Sequence, residues 1–351
     1  MSEKKKTMRA VIEIIIAVLV IIAVYFIIRG MDRHDVRIRQ AATENEMQRV
    51  WKEFQEKPVS IKLHKKTWKF AHPVQTYLFI GTDKSGNEDG EGEEYHGSMA
   101  DALMLVVVDE EEKAYGILQL NRDTITEVPM LLQDGSANAS AQMQLCTAHW
   151  YGKDKAASCD NTVETVSKML GGLPIDGYYA LKMDAMPLLN HEVGGVTVTL
   201  EDDMTKLDPA MKKGATLTLT DRQAELLMQS RYVMDDDRNT QRMRRQQIFL
   251  NAFMKKIKKQ NAGDVNATVK LYDRLRPYAT TDIKMNDLTA LLKNMQGYTD
   301  KGIITIDGTS KIGEKLHDGK KHWEFYMDED SLETSMKQLY PLVQELSLIH
   351  I

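Results

Sequence analysis

The sequence predicts an α/β fold, a β-sheet covered by helices, set behind one N-terminal transmembrane helix. Two observations carry the sheet. Short apolar runs of buried-strand type, at residues 76–81, 102–108 and 114–120, are followed by stretches with helical spacing. Of 351 residues, 42% are hydrophobic and 28% charged, which is the balance of a chain that builds a core. A third observation carries the anchor: residues 10–28 hold a single charge, Glu13.

The chain begins with a basic tail, residues 1–9, in which Lys4, Lys5, Lys6 and Arg9 face only Glu3. The formal net charge of the whole is -5, so the body behind the tail is acidic. A globular nucleic-acid binder carries the opposite bias, and nucleic acid is not expected as a partner. As a helix, residues 10–28 would span about 28 Å, close to the hydrocarbon thickness of a bilayer. A buried core helix is seldom apolar on every face. A signal peptide has a shorter apolar region and a small-residue cleavage site, and none follows here. The segment is therefore expected to remain as a single-pass anchor. Arginines lie on both sides of it, so the positive-inside count is a tie.

Residues 29–73 read as a stalk, helical to about residue 57, and then a basic, aromatic connector with Lys62, Lys65, Lys66, Trp68 and Lys69. The main domain is expected over 74–298. It opens with the strand 76–81, a Gly-rich acidic loop, and strands 102–108 and 114–120 joined by a charged turn. Residues 141–170 read as helical, stopped by Gly171-Gly172. An alternating strand follows at 196–200, then helices at 220–231 and 240–259. Residues 299–351 are expected as a C-terminal appendage, a small hairpin pairing 303–306 with 323–327 followed by a helix over 331–346.

Several residues could carry chemistry. Asp83 follows the first strand and Asp101 precedes the second, and carboxylates at neighbouring strand ends can converge on a hard cation. Both are equally ordinary turn residues. Arg122 and Asp123 follow the third strand, where a guanidinium can hold two phosphate oxygens or form a surface ion pair. In the helix 239–259, Ile248, Phe249, Ala252, Phe253 and Ile257 form an apolar face. Stepping back by three and four residues from that face reaches Arg242 and Arg245, so these arginines continue the buried stripe. A helix start adds free N–H groups and its positive end, both favourable to an anion. Cys146 and Cys159 would favour a disulfide if the domain lies outside the cytoplasm, or two buried thiols if inside.

Taken in order, the motifs FIGTD (79–83), SMADALMLVVVD (98–109), GILQLNRDTITEVP (116–129), LGGLPIDGYYALKMDAMPLLNHEVGGVTVTL (170–200) and SRYVMDDDRNTQRMRRQQ (230–247) resemble the LytR–CpsA–Psr family of bacterial envelopes. The resemblance covers about half the chain together with the anchor. It implies a central mixed β-sheet sandwiched by helices, with an apolar pocket for a lipid chain. It also implies an extracytoplasmic phosphotransferase, anchored in the cell membrane with its N-terminus cytoplasmic. Such an enzyme moves a glycopolymer from a polyprenyl-pyrophosphate carrier to peptidoglycan. Carried over by position, Asp83 and Asp101 would hold Mg²⁺ or Mn²⁺. Arg122, Arg231, Arg238, Arg242 and Arg245 would clamp the pyrophosphate, Gln246 would add a hydrogen bond, and Asp123 would orient Arg122 or a ligand.

The chain departs from the family pattern at three places. Gln229-Ser230-Arg231 stands where Arg-x-Arg is usual, Ser98, Met99 and Ala100 where an arginine often precedes the second Asp, and Gln144-Leu145-Cys146 where Lys-x-Asn is usual. The alternatives are therefore a catalytically weak polyprenyl-pyrophosphate-binding or scaffold protein, or a transcriptional attenuator of the same family.

Overall fold

The computed structural model describes residues 49, 51–52, 54–56, 59–90, 94–132, 134–230, 239–261, 274–283 and 298–345. The expected anchor and most of the stalk lie outside the described residues, as do Arg231 and Arg238. No helix among the described residues is long and apolar enough to cross a membrane.

Strands β1 (Ser60–Leu63) and β2 (Lys66–Phe70) form a hairpin out of the basic connector. Ile61, Leu63, Trp68 and Phe70 turn inward while the lysines between them face solvent, the period of a half-buried strand. Three strands then run as an antiparallel meander: β3 (Gln75–Thr82), β4 (Ala100–Asp109) and β5 (Ala114–Leu120). Every residue of β4 is buried, because both faces of the sheet are covered there. Leu103, Leu105 and Val107 enter one core and Ala102, Met104, Val106 and Val108 the other.

A separate hairpin, β6 (Ile125–Leu131) with β7 (Ala137–Gln144), follows β5. Helix α1 (Lys155–Met169) begins at Asp154, whose carboxylate accepts from the Ala157 N–H at 2.8 Å. It ends on Gly171 at φ +75°, where an added Cβ would meet the Lys62 carbonyl oxygen at 2.1 Å. Only glycine suits both the left-handed backbone and that approach. Strand β8 (Gly177–Lys182) lies parallel to β3 and helix α2 (Met186–Glu192) follows. The pair β9 (Thr197–Thr199) and β10 (Thr216–Thr218) leads to α3 (Asp221–Gln229), which opens with a Thr220–Gln223 capping box. Then come α4 (Asn239–Asn261), β11 (Ala279–Thr281) against β8, and β12 (Thr299–Thr305) parallel to β5. The hairpin β13 (Gly308–Gly313) and β14 (His322–Met327), the helix α5 (Glu329–Leu339) and β15 (Leu342–Gln344) against β2 follow as the last described elements.

The central sheet is six-stranded and mixed, in the order β11-β8-β3-β4-β5-β12. Helices α2, α3 and α4 cover one face with Leu189, Leu227, Phe249 and Phe253. Helices α1 and α5 and the β1–β2 hairpin cover the other with Val166, Leu339 and Trp68. The α/β sandwich with a mixed sheet is therefore present.

Three local expectations are corrected. Of the stretch 141–170, only Lys155–Met169 is α-helix; the residues up to Gln144 belong to β7 and Leu145–Trp150 is a 3₁₀ turn. The β6 strand supplies the hydrogen-bonding edge that holds β7 extended. The run 303–306 does not pair with 323–327. It extends the sheet alongside β5 as a strand of the central layer, and β14 pairs with β13. The last helix stops at Leu339 rather than 346, since Pro341 removes a donor and disfavours helical backbone before it.

Candidate functional site

The ends of β3, β4 and β5 and the start of α4 meet at one place. The pairing of β3 with β4 shifts there by one residue: Gly81 faces Ala102, but Thr82 faces Ala100. Asp101 is the extra residue of this bulge. Ala100 consequently joins the opposite core from Ala102, breaking the alternation that the rest of β4 keeps. The bulge directs the Asp101 carboxylate to two arginines.

Arg122 donates from Nη1 to Asp101 Oδ1 at 2.7 Å, and Arg242 from Nη1 to Asp101 Oδ2 at 2.9 Å. Arg242 also reaches the Asp101 carbonyl at 3.3 Å and is held by Asn239 Oδ1 at 2.7 and 3.0 Å. Asn239 in turn donates to Asn121 Oδ1 at 2.9 Å, which ties the first turn of α4 to the end of β5. All of these side chains are buried. Arg122 Nη2 faces the Met99 sulfur at 3.1 Å, a weak acceptor. Its Nε is buried with no hydrogen-bond partner among the described residues, and Asp123 Oδ1 lies at 3.8 Å. Burial opposes the Arg122 charge, but Cys146, Asp101 and Asp123 outweigh it and hold the guanidinium protonated above its ordinary value.

The other expected site residues are placed as follows. Asp83, half-buried, accepts at Oδ1 from Ser85 N, Ser85 Oγ and Met99 N. Arg245 is buried like Arg242 but turns elsewhere, to Asp202 Oδ2 at 2.8 Å and to the carbonyls of Leu227 and Ser230. Gln246 donates to the Met228 carbonyl at 3.4 Å. Arg242 and Arg245 are consecutive steps of one stripe, yet only Arg242 joins Asp101. Asn121 and Asn239 were not anticipated, although Asn239 stands three residues before Arg242, the spacing at which helical side chains meet.

Of the two alternatives for Cys146 and Cys159, a bridge or two buried thiols, the structure has the buried thiols. The β7 strand and the 3₁₀ turn carry Cys146 beneath Arg122, while Cys159 lies in α1 against His149 Nε2 at 3.6 Å. Burial raises both thiols, with Cys146 pushed up to about 11 despite Arg122.

His149 is enclosed behind the site, with Nδ1 at 2.8 Å from the Ser98 carbonyl. Burial lowers its pKa, against the opposing pull of the Ser98 carbonyl, Glu88 and Asp83. The unfolded chain then binds more protons than the folded one as pH falls below the ordinary histidine value of about 6.5. Stability is expected to decline with falling pH through that window by up to about 1.4 kcal/mol per unit. Urea midpoints between pH 7.5 and 5.5 should show the slope, and His149→Asn should remove it.

A family model described as the LytR_cpsA_psr family matches residues 35–340. The chain belongs to the LytR–CpsA–Psr family. Among solved structures, B. subtilis TagV is similar at 25% identity and a TM-score of 0.56, over 76% of this chain and 95% of TagV. The gbs0355 protein of Streptococcus agalactiae is similar at 20% identity and a TM-score of 0.57, over 76% of this chain and 88% of its own. TagT, solved bound to LI-WTA, is similar at 18% identity and a TM-score of 0.52, over 76% and 90%. The last two bear on the fold. Among curated proteins none matches.

Each departure from the LytR–CpsA–Psr pattern has a structural occupation here. Met99 packs its sulfur on Arg122, Gln144 donates to the Trp323 carbonyl at 2.5 Å, and Gln229 donates to the Met183 carbonyl at 3.3 Å.

Proposed function

We propose that this chain is a membrane-anchored phosphotransferase acting outside the cytoplasm. It moves a glycopolymer from a polyprenyl-pyrophosphate carrier to peptidoglycan, joining them through a phosphodiester. The observation that carries the reading is the convergence of two buried guanidiniums, from a strand end and a helix start, on one bulged carboxylate. Family membership and the likeness to TagV support it.

Arg122 and Arg242 bind oxygens of the pyrophosphate, and the first turn of α4 turns its N–H groups toward the same charge. Asp101 and Asn239 hold the two guanidiniums in register so that they need not reorganise during the reaction. We assign Arg231 and Arg238 to the same clamp. Arg245 and Gln246 brace the end of α3 from which that segment departs. A sugar hydroxyl attacks the phosphorus bonded to the glycopolymer, and the bond to the bridging oxygen breaks. Lipid monophosphate leaves with the bonding electrons, and the hydroxyl proton passes to a carboxylate or to water.

Asp83 fits a divalent cation of the Mg²⁺ type, which takes one or two carboxylates and fills its shell with phosphate oxygens and water. Asp101, with Oδ1 on Arg122 and Oδ2 on Arg242, would join it only by sharing those oxygens with the guanidiniums. The fit rests on Asp83 Oδ2, which makes no hydrogen bond to the described residues, while Oδ1 is fixed by three donors. Bound there, the cation would neutralise charge on the leaving phosphate.

The purified chain, given a lipid-pyrophosphate-linked glycan and Mg²⁺, is expected to release lipid monophosphate. Asp83→Asn should slow release on the order of 10²-fold. A second reading, binding of lipid pyrophosphate without transfer, is favoured by Met99 and Gln229 standing where the family carries arginine. Tight binding with no release from the unaltered chain would establish that second reading and reject transfer.

A further inference from the structure

The hairpin β13–β14 is fastened to the turn that presents Arg122 and Asp123. Phe325 N donates to the Asp123 carbonyl at 2.8 Å, Phe325 bridges to Thr124, and the Trp323 carbonyl accepts from Gln144. This docking leaves a partly open cavity of about 240 Å³ between the hairpin loop and the body. Met99, Met143, Trp150 and Tyr151 wall it on the body side, and the loop residues Leu316, His317 and Asp318 on the other. The loop is held in shape: His317 has φ +59°, and Asp318 is clasped by His322 Nε2 at 2.9 Å.

We propose that this cavity is a subsite for one pyranose ring of the glycan substrate. Aromatic and thioether surface on one wall suits the C–H face of a sugar, and the His317 imidazole opposite suits its hydroxyls. The volume is enough for one ring, and the open side leaves room for the rest of a glycan to continue outward. Met99 belongs to both places, lining the cavity and resting its sulfur on Arg122. Methionine has three rotatable side-chain bonds, and its sulfur is a weak acceptor that a phosphate oxygen readily replaces. A ring seated here therefore lies one movable side chain from the guanidinium. This assignment rests on the phosphotransfer reading for the nature of that neighbour, and two sugars qualify: the one attached to the pyrophosphate, and the one that attacks it.

The test uses the full chain with three probes: farnesyl pyrophosphate, farnesyl pyrophosphate bearing one N-acetylglucosamine, and chitotetraose, each titrated calorimetrically. Trp150→Ala and the exposed-loop variant His317→Ala are each expected to weaken a sugar probe by about tenfold or more, leaving farnesyl pyrophosphate within about twofold. Loss confined to the glycosylated lipid assigns the subsite to the donor sugar; loss for chitotetraose assigns it to the acceptor. If the unaltered chain binds neither sugar probe, or if both variants bind them as it does, the subsite is refuted. Sugar binding that depends on Trp150 and His317 in a chain that ignores farnesyl pyrophosphate would uphold the subsite and reject the phosphate reading.

Discussion

Asp101→Asn is expected to lower the unfolding free energy by about 3–5 kcal/mol, the usual effect of removing one partner from a buried ion pair. The carboxylate serves two guanidiniums at once, at 2.7 and 2.9 Å, and both arginines are almost fully enclosed. Asparagine keeps the shape but removes the charge, so Arg122 and Arg242 are left facing each other away from water. Against a typical stability of about 5–15 kcal/mol the loss is large. Urea unfolding followed by circular dichroism should show the midpoint falling with little change in slope. A cost below about 1 kcal/mol would mean that water reaches the pair and screens it.

Arg122→Ala is expected to reduce transfer on the order of 10³-fold, mostly in kcat, because its donors meet charge that builds up as the phosphate leaves. Its effect on folding should be the smaller one, since Asp101 retains Arg242. Arg122→Lys should recover only part of the rate, because an ammonium restores the charge but not the planar pair of donors. Steady-state release of lipid monophosphate measures both variants. Equal kcat for arginine and alanine would remove Arg122 from the reaction. Combining Arg122→Ala with Asp101→Asn should cost less stability than the two single losses together, since each removes the other's partner.

Much of the sheet was legible. The apolar runs at 76–81, 102–108 and 114–120 are β3, β4 and β5, because strands buried on both faces announce themselves by hydrophobicity alone. The stripe on α4 was legible too: Phe249 and Phe253 are fully buried, and Arg242 and Arg245 lie in line with them. What that stripe could not convey is where each arginine turns, since Asp202 and Asp101 come from distant segments. The bulge at Asp101 was hidden for a similar reason, being a mismatch between two strands and not a pattern within one. The Asn121–Asn239 bond joins residues 118 apart, beyond any periodicity. Pairing partners were the weakest reading. An apolar run such as 303–306 declares that it is buried, but not whether its neighbour is β5 or β14.

The way the chain closes has a kinetic side. Thr299 pairs with Ala114, and Leu342 pairs with Phe70, so both the edge of the central sheet and the small outer sheet are finished by residues far downstream of the strands they join. Ribosomes deliver the N-terminus first, and contacts between such distant segments form late and slowly. Until then β5 and β2 each present an unpaired edge, the surface on which nascent chains stick to one another. Synthesis interrupted before α5 has emerged therefore leaves open strands rather than a smaller working protein.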